Sequence, residues 1–191
     1  MIHTSKAYDR TESGLLIARN LIEPVKAGGF YEYELVRNGR IIDTWSHYNI
    51  CTAEGLTHSL ALSFAGETQH NWYVALANTD SHTPVDGDTY QTVMSSGNYE
   101  FVAYKETTRE AWTPGTPSSK SVDNSASKAE FTIDTGGPYS VYGAMLVSLS
   151  TKNDATAGNY LYSFGLFSAA KTGLIEDDIV RVTITLSLTN T

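Results

Sequence analysis

A chain of 191 residues fits one compact domain with, at most, a short arm. Hydrophobic residues make up 41% of it and charged residues 18%, an apolar share that sustains a packed core and excludes a disordered chain. The formal charge of −8, with 21 Asp and Glu against 13 Lys and Arg, argues against a nucleic-acid partner, because phosphate binding rests on clustered cations.

Residues 1–29 read as an N-terminal arm ending at Gly28-Gly29, and residues 30–191 as one β-domain. In the arm, Leu15, Leu16, Ile17, Leu21 and Ile22 are apolar ahead of Pro24. They can be buried as a strand added to this domain or as a limb lying on a neighbouring subunit, since sheet edges accept strands from either source. These five residues are therefore candidate interface residues.

Phe30–Arg37 and Arg40–Ser46 flank Asn38-Gly39, the favoured pair for a two-residue type I′ turn with positive φ at both positions, and are expected to form a hairpin. Behind Thr52 as a possible N-cap, Leu56, Leu60 and Phe64 recur at i, i+4 and i+8 before Gly66, which predicts one helix with that row as its apolar face. Strands are then expected at Trp72–Ala77, Tyr99–Tyr104 and Ser127–Asp134. Tyr139–Leu149 is apolar at both parities, as a strand covered on both faces would be. Tyr160–Phe167 follows, and last comes Ile179–Leu188, with Val180, Val182, Ile184, Leu186 and Leu188 inward. Many short strands separated by Gly, Asn, Asp and Pro, with a single helix, predict an all-β fold: a single β-sandwich, jelly-roll-like, carrying one helix and the arm. The polar loop Thr113–Ser121 is expected on the surface.

Catalytic signatures are sparse. Neither a GxxxxGK[ST] loop nor a GxGxxG motif occurs, so no nucleotide cofactor is expected. His3, His47, His58, His70 and His82 lack the short i, i+2 or i, i+4 spacing of common metal sites, and Cys51, the single cysteine, lends them no second thiolate, so the metal assignment is none. Cys51 is expected to serve as a small buried hydrophobe. Asp80, Asp86 and Asp88 form an oxygen-rich stretch that could hold Ca²⁺ but reads better as an Asp-Gly turn. Glu176-Asp177-Asp178 reads as a solvated turn. With no GxSxG elbow, nucleophilic catalysis is unsupported and no catalytic residue is assigned. Trp72 opens an apolar strand and is expected inside, whereas Trp112 borders the polar loop and is the surface candidate for touching a partner. No stretch holds the roughly 18 apolar residues of a spanning helix, and the first residues lack a signal-peptide core, so no membrane partner is expected and assembly in a cytoplasm is.

Several segments occur in an order that resembles a known family. They are Asn49–Leu56, Asn71–Leu76, Thr83-Pro84 with Gly87–Thr89, Glu100–Tyr104 followed by Thr108–Trp112, Asp123–Thr132, Val141–Ser148 and Asp178–Thr183. Together, over about residues 49–186, they resemble small virion proteins encoded among the structural genes of tailed bacteriophages. The resemblance implies a shell-associated or tail-associated structural role without catalysis. Its leading form is a decoration or cement protein, a homo-dimer or homo-trimer on the outside of the virion that binds the major capsid protein shell and stabilises it. Its rivals are a tail, neck or baseplate component, a carbohydrate-binding or receptor-binding module, and a polysaccharide-degrading enzyme that would need Asp86 or Asp88.

Overall fold

A computed structural model describes residues 6–10, 16–20, 25–96 and 99–190 of the chain. In chain order the elements are β1 (Lys6–Arg10), β2 (Leu16–Asn20), β3 (Val25–Arg37), β4 (Arg40–Cys51), α1 (Ala53–Phe64), β5 (Tyr73–Ala77), α2 (Tyr90–Met94), β6 (Glu100–Phe101), β7 (Glu110–Ala111), β8 (Ser121–Asp123), β9 (Ala129–Thr132), β10 (Tyr139–Val147), β11 (Leu161–Leu174) and β12 (Ile179–Asn190). The all-β class read from the sequence holds. The strands of the body follow one continuous path, β6-β5-β10-β11-β4-β3-β12-β8, with β7 on β5 and β9 on β12, and this antiparallel sheet curls into a half-barrel. Among the described residues, β1 and β2 pair only with each other, with Leu16 opposite Arg10 and Asn20 opposite Lys6.

The hairpin forms where Asn-Gly requires it. Asn38 and Gly39 take φ of 52° and 73°, and both arms run well beyond the predicted segment. β3 begins at Val25, which lies opposite Asn190 of β12, so Val25–Gly29 belong to the sheet rather than to the arm. The length of β3 gives it two full partners, β12 on one side and β4 on the other.

One core lies between the two halves of the curl. Tyr31 and Tyr33 of β3, Phe131 of β9 and Val182 of β12 meet Leu76 of β5 and Leu146 of β10, all essentially sealed from solvent. β10, the strand expected to be covered on both faces, is flanked in the sheet by β5 and β11. Its second face, with Met145 and Val147, packs together with Ala75, Leu161 and Phe164 against α2. That short helix is an addition to the single one predicted. Thr89 caps it, its hydroxyl accepting from Thr92 N while the Thr92 hydroxyl accepts from Thr89 N.

Two predicted strands depart from their patterns, one cut short and one running past the core. Only Glu100–Phe101 of the Tyr99–Tyr104 segment is strand, because Glu100 turns inward to a buried cation and Tyr104 keeps just an isolated bridge to Ile133. At the other end, Leu188 continues the inward parity of β12 but is 50% exposed, since the core stops near Ile184 while the strand runs on.

Candidate interaction surface

The first turn of α1 is clamped to β11. Thr52 caps the helix, its hydroxyl accepting from Gly55 N at 3.1 Å while its own N–H donates to Tyr162 O at 3.0 Å. Glu54 Oε2 accepts the N–H groups of Tyr90 and Leu161, each at 2.7 Å, and so ties α1 to α2 and β11 through one carboxylate. Gly55 is needed for the close approach: a Cβ there would lie 2.5 Å from Tyr162 Cα.

This docking turns the helix away from its expected orientation. The side against the body carries Gly55 and His58, both buried. The row read as the core face points outward instead, with Leu60 61% and Phe64 85% exposed. Across from it stand Ala27 at the start of β3, Val122 of β8, and Leu186 and Leu188 at the end of β12, and together they line a groove of about 630 Å³. Ser59, Ser63, Ser121 and Ser187 edge the groove, and Lys120 is its one charged residue among the described residues that line it. Physically it is the unclosed end of the core, where inward-facing strand residues run past the last packed layer. Such a surface favours an apolar segment over a charged or strongly polar ligand.

A second pocket lies on the opposite flank of α1, over His58 and Glu67. The His58 ring stacks on Tyr160 with centroids 4.0 Å apart, and His70 lies 5.0 Å away. Tyr160 donates its hydroxyl proton to Glu67 Oε1 at 2.9 Å. Burial, reinforced by neighbouring His70, pushes the His58 imidazole below its ordinary value, so it is neutral near pH 7. These contacts tie the end of α1 and the following loop to β11.

Other expected sites resolve into fold-stabilising contacts. Trp112, read as the surface candidate, is only 8% exposed. Its indole N–H donates to Ile184 O at 3.3 Å and its backbone N–H to Trp72 O at 2.8 Å. The polar loop next to it is exposed, but the ring is held inside because it fills the space between β7 and β12. Trp72 is half-buried against the core. Asp88 is buried, its carboxylate engaged by His82 Nε2 at 2.8 and 2.9 Å and by Val85 N at 2.9 Å, and Asp86 is exposed. In the Glu176-Asp177-Asp178 turn, Glu176 and Asp177 are exposed as expected, but Asp178 is buried in a two-pronged contact with Arg37 at 2.6 and 2.7 Å. Cys51 is buried, as a small hydrophobe would be, and burial pushes its thiol up to about 11.

Of the predicted arm residues, Leu16 and Ile17 are placed by their backbone in β2. Leu15, Leu21 and Ile22 lie outside the described residues. The groove itself was missed because its signal, the Leu56-Leu60-Phe64 row, is the pattern that a core-facing helix shows too. Compared with known proteins, the chain matches no family model and no curated protein.

Proposed function

We propose that the protein is a non-enzymatic structural protein of a tailed-bacteriophage particle, a decoration or cement protein that binds the outer surface of the major capsid protein shell and stabilises it. The observation that carries this reading is the exposed apolar groove beside α1, set on a rigid curled sheet. Large apolar side chains left in water at the edge of a packed domain mark an assembly contact. The acidic balance of the chain suits a face turned to solvent rather than to packaged nucleic acid. A curled antiparallel sheet packed on apolar clusters supports reading the fold as a jelly-roll-like sandwich, a form that can serve as a platform for such a contact. A modest contact repeated by associated copies gains avidity on a shell lattice.

The test is direct. Mass spectrometry of purified particles should find the chain at a copy number comparable with that of the shell subunits, and purified protein should co-sediment with empty shells of the major capsid protein. Absence from finished particles would overturn the proposal. A copy number of only a few to dozens would move the protein to the tail or neck.

A further inference from the structure

We propose that the outer face of the β3–β4 hairpin binds a neutral saccharide, with Tyr48 as the stacking platform and Glu32 as the acceptor for sugar hydroxyls. This face lies on the reverse of the sheet from the groove, and its ligand is independent of the capsid assignment.

Strand alternation builds the site. Tyr31, Tyr33 and Leu35 of β3 are buried in the core, which puts Phe30, Glu32 and Glu34 on the other face. The register sets these three opposite Tyr48, Ser46 and Thr44 of β4, so two matched rows run side by side. At one end stands an aromatic pair: the Tyr48 ring is 82% exposed, and Phe30 flanks it with centroids 5.0 Å apart. Beyond that pair the face turns polar and dips into a pocket of about 370 Å³, whose lining includes Glu32, Glu34, Thr44, Ser46, Lys128 and Thr183.

The hydrogen-bonding groups left free in this pocket select the class of ligand. Glu34 is already answered, its carboxylate 2.6 Å from Lys128 Nζ and 3.7 Å from Arg181 Nη1. Glu32 and Ser46, directly opposite each other, make no hydrogen bond or ion pair among the described residues. The next residue on the same face of a strand stands about 7 Å away, at ~3.4 Å per residue, so a sugar lying on Tyr48 brings its own hydroxyls, or those of the adjoining sugar, over Glu32 and Ser46. A pyranose offers what both ends of the site require. Its C–H face packs on an aromatic ring, and its hydroxyl rim donates charge-assisted hydrogen bonds to a carboxylate. An acidic sugar is disfavoured by Glu32, the one unpaired charge of the two rows, and by the net charge of −8. An apolar protein surface would bury the Glu32 carboxylate unpaired, which is costly, whereas sugar hydroxyls satisfy it.

The experiment presents the full-length protein, over a concentration series, to an array of immobilised neutral, sialylated and uronic-acid oligosaccharides. The wild type should bind neutral saccharides and pass over the acidic ones. Tyr48→Ala should weaken that binding about tenfold or more, Tyr48→Phe, which keeps the ring, should stay within about threefold, and Glu32→Gln should fall between them. Tyr48 and Glu32 are exposed, so all three variants should keep the wild-type thermal unfolding profile. A control carrying Leu60→Asp and Phe64→Asp, at the groove, should bind saccharides as the wild type does. No binding to any neutral saccharide, binding to acidic ones alone, or a Tyr48→Ala variant that binds like the wild type would overturn the proposal. So would a Tyr48→Ala variant whose only defect is in co-sedimentation with shells, which would make the face a protein contact. Shells play no part in the array, so failure there is distinguishable from failure of the capsid assignment.

Discussion

Arg109 and Glu100 face each other inside the protein with both side chains sealed from solvent, Nε to Oε1 at 2.7 Å and Nη2 to Oε2 at 2.8 Å. The remaining valences are filled: Arg109 Nη1 donates to Leu149 O at 2.7 Å and to the Tyr90 hydroxyl at 3.0 Å, and Asn153 N donates to Glu100 Oε2 at 2.6 Å. Burial works against the guanidinium charge, but the carboxylate outweighs it and holds the Arg109 pKa above its ordinary value. One ion pair thus joins β6, α2 and the loop after β10.

Arg109→Met should therefore be among the most damaging single substitutions in the chain. It strands the buried Glu100 carboxylate and leaves the Leu149 carbonyl and the Tyr90 hydroxyl without their donor, at a cost of about 3–5 kcal/mol. The double variant Arg109→Met/Glu100→Leu removes both charges and should recover a large part of that loss, because a well-packed apolar pair tolerates the same site. Urea unfolding of the three proteins measures the difference. A double variant less stable than the single would show that the pair matters through packing rather than through its charge.

Gly55→Ala pits two effects of opposite sign against each other. In a free helix the change gains about 1 kcal/mol. Here the new methyl meets the backbone of Tyr162 and Leu161, at 2.5 Å from Tyr162 Cα and 3.0 Å from Leu161 O, and neither is a flexible side-chain end. Overpacking of that kind costs about 1–3 kcal/mol, so the variant should unfold at a lower temperature than the wild type. It should also weaken co-sedimentation with shells, because α1 forms one wall of the groove. A rise in melting temperature would mean that α1 can ride outward without loss.

Much of the frame was legible because its signals are local. Asn38-Gly39 dictates a positive-φ pair whatever surrounds it, and the apolar alternation at Val180, Val182 and Ile184 needs only one buried sheet face. The surface was less legible, because burial is a property of neighbours. Leu56, Leu60 and Phe64 carry helical spacing whether they face the core or a partner, and the residues that decide the matter are Gly55 and His58, whose small size and ring stacking draw the other side of α1 against β11. Trp112 was misplaced for a related reason: a ring beside a polar loop can turn either way, and the Ile184 carbonyl that holds it lies 72 residues along the chain.

The indole N–H of Trp112 gives that correction a measurable form. Trp112→Phe keeps most of the ring and loses the bond to Ile184 O, so it should cost about 1 kcal/mol plus the penalty of a carbonyl left short of a donor. Trp112→Ala should cost about 3–5 kcal/mol, as expected when a large ring leaves a core. Both losses should appear in unfolding of the isolated protein. A Trp112→Ala variant with unchanged stability and impaired shell binding would restore the surface reading.

His47 sets an acid limit on the fold. It lies on β4, stacked on Tyr33 at 5.4 Å and edge-on to Phe167 at 5.2 Å, and burial, only partly offset by the Gly165 backbone, lowers its pKa from 6.5 to about 4. In the unfolded chain the imidazole takes up a proton near its ordinary value, while in the folded protein it stays neutral until about pH 4. The unfolded state consequently binds more protons between those values, and stability falls as pH drops through that window, by at most roughly 3 kcal/mol at 1.36 kcal/mol per pKa unit. His58, lowered in the same direction, adds to the slope. His47→Phe preserves an aromatic ring against Tyr33 and Phe167 but cannot be protonated, so its unfolding free energy should change less between pH 6.5 and pH 4 than that of the wild type. Equal slopes in the two proteins would assign the acid sensitivity elsewhere, with the Asp178 carboxylate next in line. Burial alone would raise Asp178, but Arg37 and the Ile175 N–H hold it below its ordinary value, and the stability it contributes is lost only at still lower pH.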